Sequence, residues 1–269
     1  MKDIKILQNK ILEIAVYFDE FCKKHGIVYY LMGGSALGAI RHKGFIPWDD
    51  DFDVFMTYDN YEKFLSCAKE YLDEDNYYLQ AENTEEWPLY FSKLRMNNTL
   101  YVENTCKNRK MHQGIYIDIM CINNAPDINF FVFLQYVAAK MLVAKTLYKR
   151  GYDGASKRKN AIMKIAFSII SDRFEGWLIK YVRKFNDRKT KRVVHFFGKA
   201  PYKKSFFPVD FLGEARYVPF ENTFLPVPEK VEEYLASRFG DYNKLPDAEQ
   251  REVSIHAIKW AVDVCKEGC

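Results

Sequence analysis

The chain has 269 residues, of which 48% are hydrophobic and 28% charged, with a net charge of +4 at pH 7. This length and composition are typical of a folded globular protein and exclude a disordered chain. The first residues lack the apolar core of a signal peptide, so we expect a cytoplasmic protein. No pair of cysteines has CxxC spacing, which favours free thiols over a zinc site. The six cysteines are Cys22, Cys67, Cys106, Cys121, Cys265 and Cys269.

Positive charge is concentrated in one segment of the chain. Residues 138–205 contain 19 Lys and Arg but 4 Asp and Glu. The rest of the chain contains 21 Lys and Arg and 32 Asp and Glu. A basic block of this kind indicates an anionic partner. We expect no nucleic acid, because no recognition motif accompanies the charge. The mixture of Phe, Trp and Lys predicts peripheral contact with an anionic inner membrane face, and a solvated helical face is the alternative.

The first half of the chain predicts alternating helices and strands. Apolar residues recur at helical spacing over residues 2–25, and Gly26 ends that helix. Further along, we predict a strand over 27–31, a short helix from Gly33 to about Gly44, a strand over 52–56, and a helix capped by Thr57 or Asp59. The buried stripe of this last helix is predicted to contain Tyr61, Phe64, Leu65, Ala68 and Tyr71.

The second half begins with two predicted strands, 91–95 and 99–102, around an Asn97-Asn98 turn. Residues 115–120 form the clearest strand, with three isoleucines on one face and Asp118 on the other. Later residues predict a hairpin over 216–225 and a helix over 229–239. These elements describe an α/β or α+β fold, in which a mixed sheet is flanked by helices.

Residues 126–204 differ in character and predict a basic helical insert. The apolar run from Phe130 to Leu147 is interrupted by Gln135, Lys140 and Lys145, so it is a poor membrane span. An apolar and basic helical pattern then continues from Ile162 to Lys184. We therefore predict a single catalytic domain whose core is formed by about 1–125 and 205–269.

Residues 33–56 contain the groups that carry chemistry. A glycine turn that opens a helix, here Gly33-Gly34-Ser35, offers backbone N–H groups to phosphate. On an extended strand, Asp51 and Asp53 share one face and can hold one or two divalent cations. Asp118 offers a third carboxylate from an apolar strand, where a metal would offset the cost of its burial. These residues predict phosphate chemistry that depends on Mg²⁺, with Mn²⁺ as a substitute.

Other polar residues allow two interpretations. Arg41, His42 and Lys43 either bind phosphate or end a helix, where positive charge is favourable. Lys93 and Arg95 share a strand face, and they either reach phosphate or form ion pairs. Asp49 and Asp50 either bind metal or brace the turn. His195 and His256 are predicted to be ordinary, partly buried histidines.

The pattern of Gly-Ser, a carboxylate pair and a later strand carboxylate resembles the polymerase-β-like nucleotidyltransferase fold. More specifically, GGSALGAIRHKGFIPWDDDFDV at 33–54 resembles the signature of the LicD family, which includes bacterial phosphocholine transferases and fukutin-related proteins. KLRMNNT at 93–99, GIYIDI at 114–119 and LPVP at 225–228 agree with it. The chain departs from the family pattern at Met96 and at Cys121-Ile122-Asn123.

This resemblance implies Mg²⁺-dependent transfer of a phospho-alcohol, such as phosphocholine, from a CDP-alcohol to a glycan hydroxyl, with release of CMP. The acceptor would be a cell-surface glycan, such as teichoic acid or lipopolysaccharide, or its lipid-linked precursor. By motif, Asp51, Asp53 and Asp118 would be the metal carboxylates, and Gly34 and Ser35 would cradle donor phosphate. Two alternatives remain open: nucleotidyl transfer that releases pyrophosphate, and a membrane-docking scaffold with a vestigial site.

Overall fold

The computed structural model describes residues 2–103, 109–151, 156–198, 200–251 and 255–264, so Cys106, Cys265 and Cys269 lie outside the described residues. The helices are α1 (Lys2–Lys24), α2 (Gly33–His42), α3 (Tyr58–Tyr71), α4 (Asn129–Lys149), α5 (Lys157–Ile169), α6 (Asp172–Arg183) and α7 (Val231–Phe239). The strands are β1 (Tyr30–Leu31), β2 (Asp53–Thr57), β3 (Tyr77–Gln80), β4 (Ser92–Met96), β5 (Leu100–Glu103), β6 (Tyr116–Ala125), β7 (Arg192–Val194), β8 (Phe206–Pro208), β9 (Arg216–Phe220), β10 (Thr223–Val227) and β11 (Ala257–Ala261).

A mixed sheet forms the centre of the fold. Its strands lie in the order β1-β2-β6-β4-β3, and the far end of β6 pairs with β7, which pairs with β8. β2 and β6 are parallel, whereas β4 runs antiparallel to β6. Helices pack on this sheet, and the predicted α+β class is confirmed.

One face of β6 closes the main hydrophobic core. Ile115, Ile117 and Ile119 are fully buried on that face, and α1 and α3 both pack against β6. The core includes an edge-on contact between Phe18 and Phe64, with ring centroids 5.3 Å apart. The opposite face of β6 carries Asp118 and is therefore available for the site.

The segment predicted as a helical insert also contributes a strand. β7 pairs with residues 123–125 of β6, so the segment is joined to the central sheet. Three helices, not two, precede β7, because α5 ends before Ile170 and α6 begins after Ser171. The Ser171 hydroxyl accepts a hydrogen bond from the Phe174 N–H and caps α6. These helices and β7 share a second, smaller hydrophobic core.

Within the described residues, α4 is the helix whose length and hydropathy would allow it to cross a membrane, and 39% of its most apolar window is buried inside the protein. Its polar residues have partners within the fold. The Gln135 amide donates to the carbonyls of Asn124 and Val182, and the Lys145 ammonium lies 2.5 Å from Glu175. These bonds tie α4 to β6 and α6.

Several predictions about single elements were wrong, because contacts with distant segments determine the structure there. β5 does not form a hairpin with β4 but pairs with β11 in a separate ribbon. The first strand is two residues long rather than five. Tyr71 is 52% exposed and lies outside the buried stripe of α3. The hairpin β9–β10 is confirmed.

We expect Gly38→Ala to destabilise the protein by about 1–3 kcal/mol, because overpacking forces the backbone to shift. A Cβ at Gly38 would lie 2.5 Å from the Gly44 carbonyl oxygen. The matched control is Gly176→Ala on α6, where nothing lies within 4 Å of the added Cβ. Alanine favours a helix over glycine by up to about 1 kcal/mol, so this variant should be neutral or more stable. Equal urea midpoints for both variants would contradict the described packing at Gly38.

Candidate active site

Three charged side chains form a row across three adjacent strands. In the sheet register, Asp53 on β2 is paired with Asp118 on β6, and Asp118 is paired with Lys93 on β4. Paired residues project to the same side of a sheet. The Lys93 ammonium lies 2.7 Å from the Asp118 carboxylate. The two aspartates, 65 positions apart in the sequence, are thus neighbours in the fold.

This row forms part of the wall of a cavity of about 600 Å³. Asp51, Asp53, Asp118 and Glu103 give the cavity an acidic region. Its basic side chains are Lys93, Lys140, Arg150, Lys159, Arg238 and His256. Its aromatic side chains include Trp87, Tyr90, Phe91, Tyr116, Phe197 and Tyr234. The cavity therefore places carboxylates, cations and ring faces around one space, as a charged substrate with metal ions would require.

α4 forms one wall of this cavity. Lys140, Val143, Thr146 and Leu147 on this helix all line it. The insert is thus part of the site, and the core segments predicted as the catalytic unit do not enclose it by themselves.

The glycine turn mainly positions the row of charged side chains, and only part of the turn reaches the cavity. Gly33 lines the cavity and adopts a left-handed backbone, with φ of 60°. Its N–H donates to the Tyr234 hydroxyl at 3.1 Å. The Ser35 hydroxyl accepts a hydrogen bond from the Asp53 N–H at 2.8 Å. Of the three glycine-turn residues predicted to bind phosphate, Gly33 lines the cavity, whereas Gly34 and Ser35 do not.

The basic triplet does not line the cavity. Arg41 and His42 end α2, and Lys43 follows with φ of 55°. The Arg41 guanidinium donates to the Tyr242 carbonyl oxygen. The triplet thus lies at the end of α2, and the structure does not bring it together with the carboxylates. Its contact with phosphate stays a prediction.

Lys93 and Arg95 share a face, as predicted, but they have different surroundings. Both are fully buried, and both lie over the ring of Tyr116, at 3.2 and 4.7 Å from its centroid. Lys93 lines the cavity. Arg95 donates to the Gln80 side chain and to the Gly114 carbonyl oxygen, so its role is to fasten β4 to its neighbours.

Asp49 and Asp50 brace the turn that carries Asp51. The Asp49 carboxylate accepts a hydrogen bond from the Asp51 N–H at 3.3 Å. Asp50 is buried and accepts hydrogen bonds from the Tyr101 hydroxyl at 2.6 Å and the His256 N–H at 3.0 Å. Its other oxygen lies 2.6 Å from Nδ1 of His256. Asp50 therefore joins the turn to β5 and to the segment before β11.

The prediction for His256 missed its place in the site. Its imidazole lines the cavity, and Nδ1 lies 3.7 Å from Asp51. The hydrogen bond to Asp50 and the charge of Asp51 raise the pKa of His256 to about 9. His256 is therefore a cation at neutral pH. His195 also lines the cavity, and burial lowers its pKa to about 4, so it is neutral.

The carboxylates repel one another, and Asp53 and Asp118 are partly buried, whereas the Asp51 side chain is 44% exposed. Desolvation raises the pKa of Asp51 to about 6. The charge of Asp118 adds to this increase, whereas His256 opposes it. Desolvation and the charges of Asp118 and Asp51 raise the pKa of Asp53 well above its usual value. The pKa of Asp118 is also raised, because desolvation of its carboxylate outweighs the opposing effect of Lys93. The carboxylates therefore keep unfavourable mutual repulsion despite the nearby cationic side chains, and a divalent cation bound between them would relieve it.

Two overlapping sets of residues offer metal ligands. Among the described residues, Asp50, Asp51 and His256 have ligand atoms within 4.8 Å of one another. However, Asp50 and His256 already bond to each other. Asp51, Asp53 and Asp118 do not form such a close group in this arrangement, in which Lys93 holds Asp118. Asp51, Asp53 and Asp118 share one cavity and have raised pKa values. They therefore fit a divalent cation better than the set that contains the hydrogen-bonded pair of Asp50 and His256.

The fold and cavity define a class of protein. A mixed sheet with aspartates on adjacent parallel strands, beside a glycine turn, is typical of nucleotidyltransferase-type domains for phosphate transfer. Residues 26–130 match the family model described as "LicD/FKTN/FKRP, nucleotidyltransferase domain". Residues 26–130 therefore resemble the nucleotidyltransferase domain of the LicD family.

The similarity to one relative extends beyond the matched domain. The chain is 27% identical over 262 residues to the lipopolysaccharide cholinephosphotransferase LicD of Haemophilus influenzae, covering 94% of this chain and 96% of that protein. A segment of 63 residues is 42% identical to an uncharacterized protein of Rickettsia typhi, covering 22% of this chain and 20% of that protein. The long match includes most of the insert, so the whole chain resembles that transferase.

We expect Asp53→Asn to stabilise the metal-free protein at pH 8 and to have little effect near pH 4. Because folding raises the pKa of Asp53, its ionisation reduces stability as pH rises above about 4, the usual pKa of aspartate. One pKa unit corresponds to about 1.4 kcal/mol, or a Tm increase of about 2–4 °C in a domain of this size.

Thermal unfolding in EDTA would test this expectation. Asp241→Asn, which changes an exposed aspartate, is the control. A Tm of Asp53→Asn below that of the wild type at pH 8 would contradict the described repulsion.

Proposed function

We propose that the protein is a phosphotransferase that transfers a phosphocholine-like group from a CDP-alcohol to a hydroxyl of a glycan or its lipid-linked precursor, releasing CMP. The observation that carries this proposal is the cavity in which Asp51, Asp53 and Asp118 face cationic and aromatic side chains. The relative that matches along the whole chain is itself named as a cholinephosphotransferase.

The carboxylates would hold Mg²⁺, with Asp51, Asp53 and Asp118 as the ligands. Bound there, Mg²⁺ supplies Lewis-acid stabilisation of charge on the transferring phosphoryl group. Lys93, Lys140, Arg150 and Arg238 would bind the remaining phosphate charge of the donor, since all four line the cavity. Ser35 would position Asp53 through the backbone hydrogen bond described above.

In the proposed reaction, the acceptor oxygen forms a bond to the phosphorus that carries the alcohol. The bond between that phosphorus and the bridging oxygen breaks, and CMP leaves with both bonding electrons. The hydroxyl proton passes to a carboxylate of the cluster, for which we propose Asp118. His256 is cationic and lies beside Asp51, so it would bind phosphate oxygen rather than accept the proton.

The aromatic side chains favour choline among the candidate alcohols. The Lys93 ammonium already occupies the faces of three cavity rings. The other rings that line the cavity include those of Tyr90, Phe197 and Tyr234, which are left for a ligand. Ring faces attract ammonium groups, and quaternary ammonium groups are recognised in this way. Ribitol and glycerol carry no such charge and would gain less from these rings.

We expect Mg²⁺ to raise the Tm of the wild-type protein more at pH 8 than at pH 5, because protonated carboxylates bind metal weakly. The increase should be lost in Asp53→Asn and Asp118→Asn but retained in Asp241→Asn. Thermal unfolding with Mg²⁺ or EDTA measures the effect. An undiminished Mg²⁺ shift in Asp53→Asn would exclude that residue as a ligand.

We expect Asp53→Ala to lower turnover at least 10²- to 10³-fold, as does the loss of a group that stabilises transition-state charge, while the protein remains folded. The assay measures nucleotide release from CDP-choline, CDP-ethanolamine, CDP-ribitol and CDP-glycerol, after heat stabilisation has identified which of them binds. CMP as the product supports the proposal. Pyrophosphate released from a nucleoside triphosphate would support nucleotidyl transfer instead, and full activity of Asp53→Ala would refute both reactions at this site.

A further inference from the structure

Exposed apolar side chains are concentrated on the helices of the insert. Among the described residues, 22 large apolar side chains are exposed, and 12 of them lie between Ile128 and Trp177. Single exposed apolar residues are normal on a protein surface, but concentrated ones indicate a partner. The insert therefore presents an apolar surface that indicates a binding partner.

Four rings on α6 and just beyond it form a continuous aromatic ladder, which we define as Phe174, Trp177, Tyr181 and Phe185. Consecutive ring centroids are 5.6, 5.7 and 6.3 Å apart. Trp177 is 56% exposed, whereas Phe185 is buried. The ladder thus extends from solvent towards the interior.

The inner end of the ladder lies in a groove between α4 and α6. This groove has a volume of about 400 Å³, and Ile128 and Phe131 line it together with Tyr181 and Phe185. Its basic residues are Lys184, Arg188 and Lys189, and its carboxylate is Asp127. The Asp127 carboxylate accepts a hydrogen bond from the Lys191 N–H. An apolar groove with excess positive charge fits a molecule that has an apolar chain and an anionic head.

We propose that the aromatic ladder and the groove bind the surface of an anionic lipid bilayer. Trp and Tyr are favoured at the boundary between lipid and water. Lys and Arg are attracted to the negative charge of an anionic leaflet. Residues 156–198 contain 12 Lys and Arg but 3 Asp and Glu, so the charge extends beyond the groove. A broad basic and apolar surface matches a bilayer better than it matches a single peptide.

α5 adds a second exposed apolar stripe to the insert and also reaches the catalytic cavity. Ile162, Ile165 and Ile169 are exposed at helical spacing, about a third of a turn from the buried Met163. An apolar stripe flanked by basic residues is typical of helices that lie in a membrane interface. Lys159 on the same helix lines the cavity. Contact with a bilayer would therefore bring the cavity near a lipid-linked acceptor, a consequence that rests on the proposed function.

Vesicle flotation tests the bilayer proposal. We expect the full chain to bind phosphatidylcholine vesicles containing one-third phosphatidylglycerol, and to bind pure phosphatidylcholine vesicles at least about tenfold less. Phe174→Ser with Trp177→Ser, and Lys184→Glu with Arg188→Glu and Lys189→Glu, should each lower binding at least about tenfold. Phe224→Ser, at a side chain 60% exposed on β10, and Lys244→Glu are matched controls that should bind normally.

A second measurement reports insertion directly. Brominated acyl chains should quench the fluorescence of Trp177, and Trp177→Phe should retain binding but lose that part of the quenching. Wild-type binding by both sets of variants, or failure of the wild type to bind anionic vesicles, would overturn the proposal. A dimer seen by light scattering that the ladder variant dissociates, without vesicle binding, would instead assign the surface to a second copy of the chain.

CMP release from CDP-choline with a soluble acceptor separates this proposal from the proposed function. Because the ladder lies outside the cavity, its variants should release CMP at the wild-type rate. Loss of vesicle binding with unchanged CMP release supports the membrane surface independently of the reaction. Equal loss of CMP release in the ladder variant would contradict its separation from the catalytic site.

Discussion

The site depends on one constraint, the pairing of two partly buried aspartates on adjacent parallel strands. The register places Asp53 beside Asp118, and folding therefore brings together charges that repel each other. Lys93 offsets part of this repulsion from the other side of Asp118, and the pKa values of both aspartates remain raised. The central sheet must therefore be stable enough to hold an arrangement that is unfavourable without an added cation. The isoleucines on the opposite face of β6 supply part of that stability.

The elements predicted correctly from the sequence are those whose signals are local. Helical spacing defines α1, and alternation on β6 assigned Asp118 to the face opposite the isoleucines. The carboxylates at Asp51, Asp53 and Asp118 were recognised because both spacing and motif pointed to them. Their roles as metal ligands remain predictions, while their common cavity is now described.

The missed features depend on contacts between distant segments. His256 shows no local signal, and its position follows from a hydrogen bond to Asp50, 206 residues earlier in the chain. β5 pairs with β11 rather than with its neighbour for the same reason. The wall formed by α4 could not be derived from helical periodicity, because amphipathicity shows that a helix is packed but not what it is packed against. The polar residues that made α4 a poor membrane span proved to be its links to the fold and to the cavity.

Tyr234, Arg238 and His256 show that the segment matched by the family model does not contain the whole cavity. The segment matched by the family model ends at residue 130, yet all three residues line the cavity from beyond that limit. The Tyr234 hydroxyl accepts the hydrogen bond from Gly33 that orients the glycine turn. A fragment cut at residue 130 would retain the recognisable motifs but lose the far side of the cavity. The smallest fragment that contains every side of the cavity is therefore longer than the segment by which the family is recognised.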